Sequence, residues 1–320
     1  MTVLESFAEL QKTVDADPLV VKTARERRDI FKSALRSAAD VRTVWGAGSL
    51  ARSTQLQPVH DVDLVVEFKA EDHRDWGQPG TSAEDAIERC RDLVTDLLSV
   101  SAGTKAKLVR RVDTANRNRA AKCYIDEPGD KNAFTVDVMP ALRLPNGILI
   151  PSKRAGRWDE ANPAFLIDEV AARQSAWSQF RPLVRLLKYW AREHESDTGR
   201  VKSLVMEVLA LECLQQANNK PAALKDFFER AAAHSLYIED PAKLCGVIQP
   251  DLDTSALRRA LEDSAEAAAQ AVRAVAENDQ PAATRHWQSV FGTAFPLVLP
   301  PGGGSESDPG PRPIRDSPQG

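Results

Sequence analysis

Two carboxylates separated by one residue, with a Gly-Ser pair a short way upstream, are the features of this chain that point most directly to chemistry. Residues 46–63 read GAGSLARSTQLQPVHDVD, and Asp61-Val62-Asp63 leads into the apolar run Leu64-Val65-Val66. On a strand successive side chains alternate between faces, so Asp61 and Asp63 share one face while Val62, Leu64 and Val66 share the other. Paired carboxylates repel each other and favour an oxygen-seeking cation such as Mg²⁺. Gly48-Ser49 precedes a short helical run, and the free N–H groups of such a turn suit a phosphate. A phosphate cradle beside a cation pair is what nucleotidyl transfer requires.

A third carboxylate, Asp137, stands alone in the apolar stretch FTVDVMPAL over residues 134–142. Buried without a partner it would cost several kcal/mol, so it lies either in water or against a cation, and the nearby Asp-x-Asp strand favours the cation. Farther along, QFRPLVRLLKYWARE (179–193) carries an apolar helical stripe of Leu183, Leu186, Leu187 and Trp190. Arg181, Arg185, Lys188 and Arg192 recur on another face, which taken alone reads as a solvated basic stripe. The next helix, VKSLVMEVLAL (201–211), is apolar on nearly every side and therefore central, with Ser203 and Glu207 four apart on one face. His60, beside Asp61, reads as an incidental loop histidine.

The elements that must position these groups follow from periodicity and turn signals. Helical patterning covers residues 3–41, broken at Asp17-Pro18, where Asp17 suits a cap and Pro18 a helix start. Strands are expected over 41–45, 61–68, 107–113, 120–125 and 134–142, with an amphipathic helix over 83–100. Residues 152–163 read as a loop, and helix dominates from Phe165 onward. Trp287, Phe291 and Phe295 read as a packing cluster closing the fold. The tail PLVLPPGGGSESDPGPRPIRDSPQG after Pro296 is too rich in Pro, Gly and Ser to bury a core and is expected to be disordered.

The ordered set of Gly48-Ser49, Thr54, Asp61-x-Asp63, VDVMPA around Asp137, RLLKYW around Lys188, KSLVMEVL from Lys202, and W-x-x-x-F-G-x-x-F-P from Trp287 resembles the CD-NTases, a branch of the polymerase-β-type nucleotidyltransferases. The resemblance implies an α+β fold, a mixed-sheet nucleotidyltransferase core plus a C-terminal helical lobe forming a bilobed cage around a nucleotide cleft. The corresponding division is 1–151 for the N-terminal helices and core, 152–298 for the helical lobe and 299–320 for the tail. It implies a cyclic oligonucleotide synthase of antiphage defence that releases pyrophosphate. Asp61, Asp63 and Asp137 would be catalytic ligands of two Mg²⁺ ions (or Mn²⁺), and Gly48, Ser49, Lys188 and Ser203 would bind the NTP substrates. An RNA-tailing or CCA-adding enzyme shares such a metal site. A protein-nucleotidylating enzyme or a non-catalytic scaffold would also keep parts of the pattern. The family further implies an operon-encoded regulator acting on the tail, such as a ubiquitin-transferase-like protein that joins Gly320 to another molecule.

Bulk properties bound these readings. The chain has 320 residues, 42% of them hydrophobic and 28% charged, enough for one large domain or two intimate ones. A net charge of −4 and the lack of a basic appendage argue against RNA as the main partner. Cys90, Cys123, Cys213 and Cys245 are far apart without metal-ligand spacing, which fits reduced thiols in a cytoplasmic protein. Without clustered Cys and His, no zinc-bearing grip on double-stranded DNA is expected. No apolar run is long enough to span a membrane, and no signal peptide is expected at the start.

Overall fold

The computed structural model describes residues 1–100, 108–127, 129–130 and 133–299. The expected tail beyond residue 299, Gly320 included, and the start of the strand expected at 107 lie outside the described residues.

Two helices come first, α1 (Val3–Val14) and α2 (Pro18–Leu35). Thr2 and Glu5 form a capping box on α1, and the Asp17 side chain accepts from Leu19 N with Pro18 opening α2. The sheet region follows: β1 (Val41–Ala47), α3 (Gly48–Arg52), β2 (Asp61–Phe68), α4 (Ser82–Leu98), β3 (Arg111–Asp113), β4 (Ala121–Tyr124), β5 (Thr135–Leu144), β6 (Gly147–Ser152) and β7 (Arg157–Ala161). The rest is helical: α5 (Pro163–Ala176), α6 (Phe180–Glu193), α7 (Glu195–Thr198), α8 (Ser203–Cys213), α9 (Lys220–Ala233), α10 (Thr254–Ala276) and α11 (Gln280–Phe291).

The sheet runs β1-β2-β5-β4-β3, with β6 and β7 continuing from the far half of β5. Among the named strands of the described residues, β2 and β5 run parallel and the other pairs are antiparallel. The ten residues of β5 allow this branching: Thr135–Val138 pair with β4 and Leu142–Leu144 with β6. Alternation sorts the faces as expected. Val62, Leu64, Val66, Val136 and Val138 are buried in one cluster with α2 and α4. The opposite face carries Asp61, Asp63 and Asp137, then a small cluster around Val65 and Ala141.

One feature differs from the sequence reading. The stretch read as a loop over 152–163 contains β7, which pairs along β6 from Ile148–Ala161 to Ser152–Arg157, so the sheet continues to Ala161. Charged Arg157, Asp159 and Glu160 mask the strand; its apolar anchor is Trp158, buried with Nε1 donating to Ser82 Oγ at 3.0 Å. The periodicity of α1 left its packing partner open; its Val3, Phe7, Leu10 and Val14 sink into the helical lobe's core. Phe7 meets the rings of Trp287 and Phe295 edge-on at 4.9 Å each, so the C-terminal aromatic cluster closes around the N-terminal helix.

Candidate functional site

The parallel register of β2 and β5 sets Asp63 directly opposite Asp137, with Asp61 beside Thr135 one pleat away. The same row continues through Ala47 on β1, Lys122 on β4 and Asp113 on β3. Charges therefore alternate along it from the paired carboxylates outward: Lys122 Nζ stands 3.9 Å from Asp137 Oδ1, and Arg117 Nε stands 3.7 Å from Asp113. Gly48 presses against the other side of Asp63. Its φ is +67°, and a Cβ built on it would fall 1.7 Å from Asp63 Oδ2. Only glycine fits there, because both the backbone conformation and the carboxylate exclude a side chain.

This packing leaves the carboxylates strained by their own charge. Burial, then the neighbouring Asp61 and Asp137, push the Asp63 carboxyl up to about 7. Burial likewise raises Asp137, against the pull of Lys122 and Arg117. Asp137 Oδ1 is buried with no hydrogen-bond partner among the described residues, Lys122 being too distant to donate. Closely spaced, under-satisfied oxygens with unmet negative charge are the donor set that a hard divalent cation takes. Among the described residues no three such side chains already stand at ligand spacing, so a cation shared by all three needs a rotamer change, most easily at exposed Asp61.

One testable consequence is a stability effect. Above its unfolded-state value an aspartate with a raised folded pKa destabilises the fold, and the penalty grows until the folded pKa is passed. Asp63→Asn removes that charge, so at pH 7.5 without divalent cations Tm should rise by about 3 °C or more. A fall in Tm would mean that Asp63 is held by favourable contacts instead.

Facing the carboxylates is a cleft of about 280 Å³ that Gly48, Ser49, Asp61 and Asp63 line from the sheet side and Lys188, Arg192, Ser203 and Glu207 line from the helices. A second cavity of about 310 Å³ adjoins it, sharing Lys188, Arg192 and Ser203 and adding Arg200 and Lys202. Of the residues singled out in the sequence, Gly48, Ser49, Asp61, Asp63, Lys188 and Ser203 thus converge on one cleft, and the register sets Asp137 beside it. Gly320 lies outside the described residues.

Lys188 sits differently from a free phosphate ligand. It is buried, and Nζ donates to Thr54 O at 2.8 Å and to Glu207 Oε1 at 3.1 Å. Burial pulls its pKa down against the opposing effect of Glu207. Glu207 in turn accepts from Arg52 Nε at 2.6 Å and from Thr54 Oγ1 at 2.9 Å. The sequence offered no means of joining Arg52 to Glu207, which lie 155 positions apart. Arg192 was visible only as part of a basic stripe, yet it is exposed and borders both cavities.

No family model matches the chain. A protein of Acinetobacter sp. named cyclic AMP-AMP-AMP synthase is 23% identical over 322 residues, covering 92% of this chain and 86% of its own. The solved structure of Escherichia coli MS115-1 CdnC with ATP superposes with a TM-score of 0.72 at 20% identity, over 92% of this chain and 98% of that one. The same CdnC bound to HORMA-deltaN superposes at 0.69 with 21% identity and the same coverage. Bradyrhizobium diazoefficiens CD-NTase CdnG, solved with GTP, gives 0.62 at 15% identity over 90% of this chain and 98% of its own. In fold the chain is similar to these solved structures, and in sequence it is similar to a protein named as a cyclic nucleotide synthase.

Proposed function

We propose that this chain is a CD-NTase that joins nucleoside triphosphates into a cyclic oligonucleotide, releasing pyrophosphate at each step. The observation that carries the reading is the side-by-side pairing of Asp63 and Asp137, with Asp61 on the same face, across a cleft from the basic and hydroxyl groups of α6 and α8. Asp61, Asp63 and Asp137 would hold the metal, two Mg²⁺ or Mn²⁺ ions, which when bound would offset phosphate charge and acidify the acceptor's ribose hydroxyl. Asp137 takes the proton from that hydroxyl. The oxygen then attacks the α-phosphate in line, a bond forms to phosphorus, and the bond to pyrophosphate breaks. Ser49 Oγ, the Lys188 ammonium and Ser203 Oγ hold the triphosphate, while Gly48 lets the turn approach Asp63 closely. A second transfer in the same cleft closes the ring. The Acinetobacter relative's name makes ATP the first substrate to try.

Regulation by an operon-encoded partner belongs to the same reading, and the HORMA-deltaN complex of CdnC supports a partner of that kind. Conjugation of Gly320 by a ubiquitin-transferase-like protein is the alternative route; a Gly320-linked adduct on co-expression with the neighbouring genes would distinguish it. The part played would be antiphage signalling. Neither double-stranded DNA nor a membrane is required.

An RNA-tailing activity is the competing assignment. Labelled NTPs with Mg²⁺, with and without RNA or protein acceptor, separate the two. The expected result is phosphatase-resistant product without any acceptor and no stimulation by double-stranded DNA. Label found only on added RNA or protein would overturn the assignment.

A further inference from the structure

Behind the cleft, three elements converge on a single carboxylate. Glu207 on α8 has a side chain 1% exposed and receives Arg52 Nε and Nη2 at 2.6 and 3.2 Å, Thr54 Oγ1 at 2.9 Å and Lys188 Nζ at 3.1 Å. Arg52 and Thr54 close the α3 segment that starts at Gly48-Ser49, and Lys188 belongs to α6. Burial alone would raise the Glu207 pKa; Arg52 and Lys188 outweigh it and hold the group ionised. One turn before Lys188, Arg185 Nη1 donates to Ser53 O at 3.0 Å and its Nε to Asp15 Oδ1 at 2.6 Å. Two cations of α6 thereby grip consecutive carbonyls, Ser53 and Thr54, just past α3, where Ser53 holds a φ of 58°.

A network of this kind is a poor source of stability, since apolar groups of equal volume in place of a buried ion pair are often as stable or more so. Its effect here is geometric. An ammonium has three N–H donors. Thr54 O and Glu207 Oε1 occupy two of Lys188's, and the side chain borders the cleft. With two donors fixed at known acceptors, the direction of the third is fixed as well.

We infer that Glu207 is a positioning residue for nucleotide use: it orients the Lys188 ammonium so that its remaining donor meets the triphosphate, and Arg52 and Thr54 keep Glu207 in place for that task. The inference rests on the nucleotidyl-transfer reading of the cleft. Glu207 itself meets no substrate. Without it, Lys188 keeps its Thr54 carbonyl but is free to swing, so its contact with phosphate weakens.

The test is a double-mutant cycle of Glu207→Gln and Lys188→Met, reading the KM and kcat for ATP alongside the Kd for ATP with Mg²⁺ on folded protein. Each single variant should raise KM and Kd about 20-fold, the scale of one charge-assisted hydrogen bond, with kcat changed less than about threefold. Because Glu207 acts through Lys188, the double variant should also stand near 20-fold rather than near the 400-fold of independent effects. A merely structural Glu207 would lower Tm and the active fraction while KM and Kd of the folded protein stayed put; that outcome, or additivity, overturns the proposal. Should Glu207→Gln fail to fold, Thr54→Val removes only the hydroxyl that donates to Glu207. It should raise KM and Kd about threefold in the wild type and not at all in Lys188→Met; equal effects in both backgrounds overturn the proposal. If the unaltered protein forms no product, the transfer reading fails by itself, and the same cycle read in Kd still decides the role of Glu207. Absence of any ATP binding refutes both.

Discussion

Asp63→Asn should cut product formation at least about 1,000-fold in a protein that folds as well as the unaltered one. A loss of that size corresponds to about 4 kcal/mol of lost transition-state stabilisation, the scale expected when a charged ligand leaves a metal-assisted transfer. Asp63 is the middle carboxylate, opposite Asp137 and two residues from Asp61, so neutralising it breaks both pairs of donors that include it. The same substitution relieves like-charge repulsion and should stabilise the cation-free protein. Activity and stability therefore move in opposite directions, which distinguishes a functional carboxylate from a packing residue. Asp61→Asn and Asp137→Asn should share the loss of turnover. Near-normal activity in any of the three, on folded protein, would remove the carboxylates from the reaction.

A change with no charge at all should be almost as damaging. In Gly48→Ala the added methyl would lie 1.7 Å from Asp63 Oδ2 and 2.6 Å from its Cγ, so something has to move. A φ of +67° adds a penalty of about 1 kcal/mol for an L-residue. Either Asp63 rotates away from Asp137 or the turn bearing Ser49 lifts off the strand, and each separates groups that must act together. Turnover is expected to fall at least about 100-fold, in line with the cost of a displacement of about 1 Å at a reacting centre. Gly46→Ala is the internal control. Its Cβ meets only the flexible Arg28 Cδ at 3.3 Å, and activity should stay within about threefold of normal. Equal effects at the two glycines would mean that the turn, rather than its contact with Asp63, is what matters.

Much of the cleft was legible in the sequence because the relevant rules are local. Alternation along a strand forces Asp61 and Asp63 to one face, and a lone Asp137 among valines asks for a partner whatever the fold. Helical spacing likewise put Ser203 and Glu207 on one face. The register that sets Asp63 against Asp137 is a long-range fact, fixed by parallel pairing across α4, β3 and β4, and no local pattern encodes it. The Arg52–Glu207 pair is of the same kind. Local masking explains the missed β7: Arg157, Asp159 and Glu160 make an edge strand look like a polar loop, and its two buried residues, Trp158 and Ala161, lie on opposite faces, so no alternation shows. The apolar stripe of α1 announced an amphipathic helix without saying which lobe would receive it. Phe7 reaches Trp287 and Phe295 across most of the length of the sequence, a contact which periodicity does not report.

The central claim is that this cleft closes nucleotides into a ring. Its most direct test is mass spectrometry of the material formed by the purified full-length chain from ATP, GTP, CTP and UTP with Mg²⁺ and no added acceptor. The expected product is a phosphatase-resistant species whose mass equals a whole number of nucleoside monophosphates less one water each, accompanied by one pyrophosphate per linkage and absent with Asp63→Asn. Linear oligonucleotides that retain a terminal triphosphate, or nucleotide transferred only once RNA or protein is supplied, would contradict it.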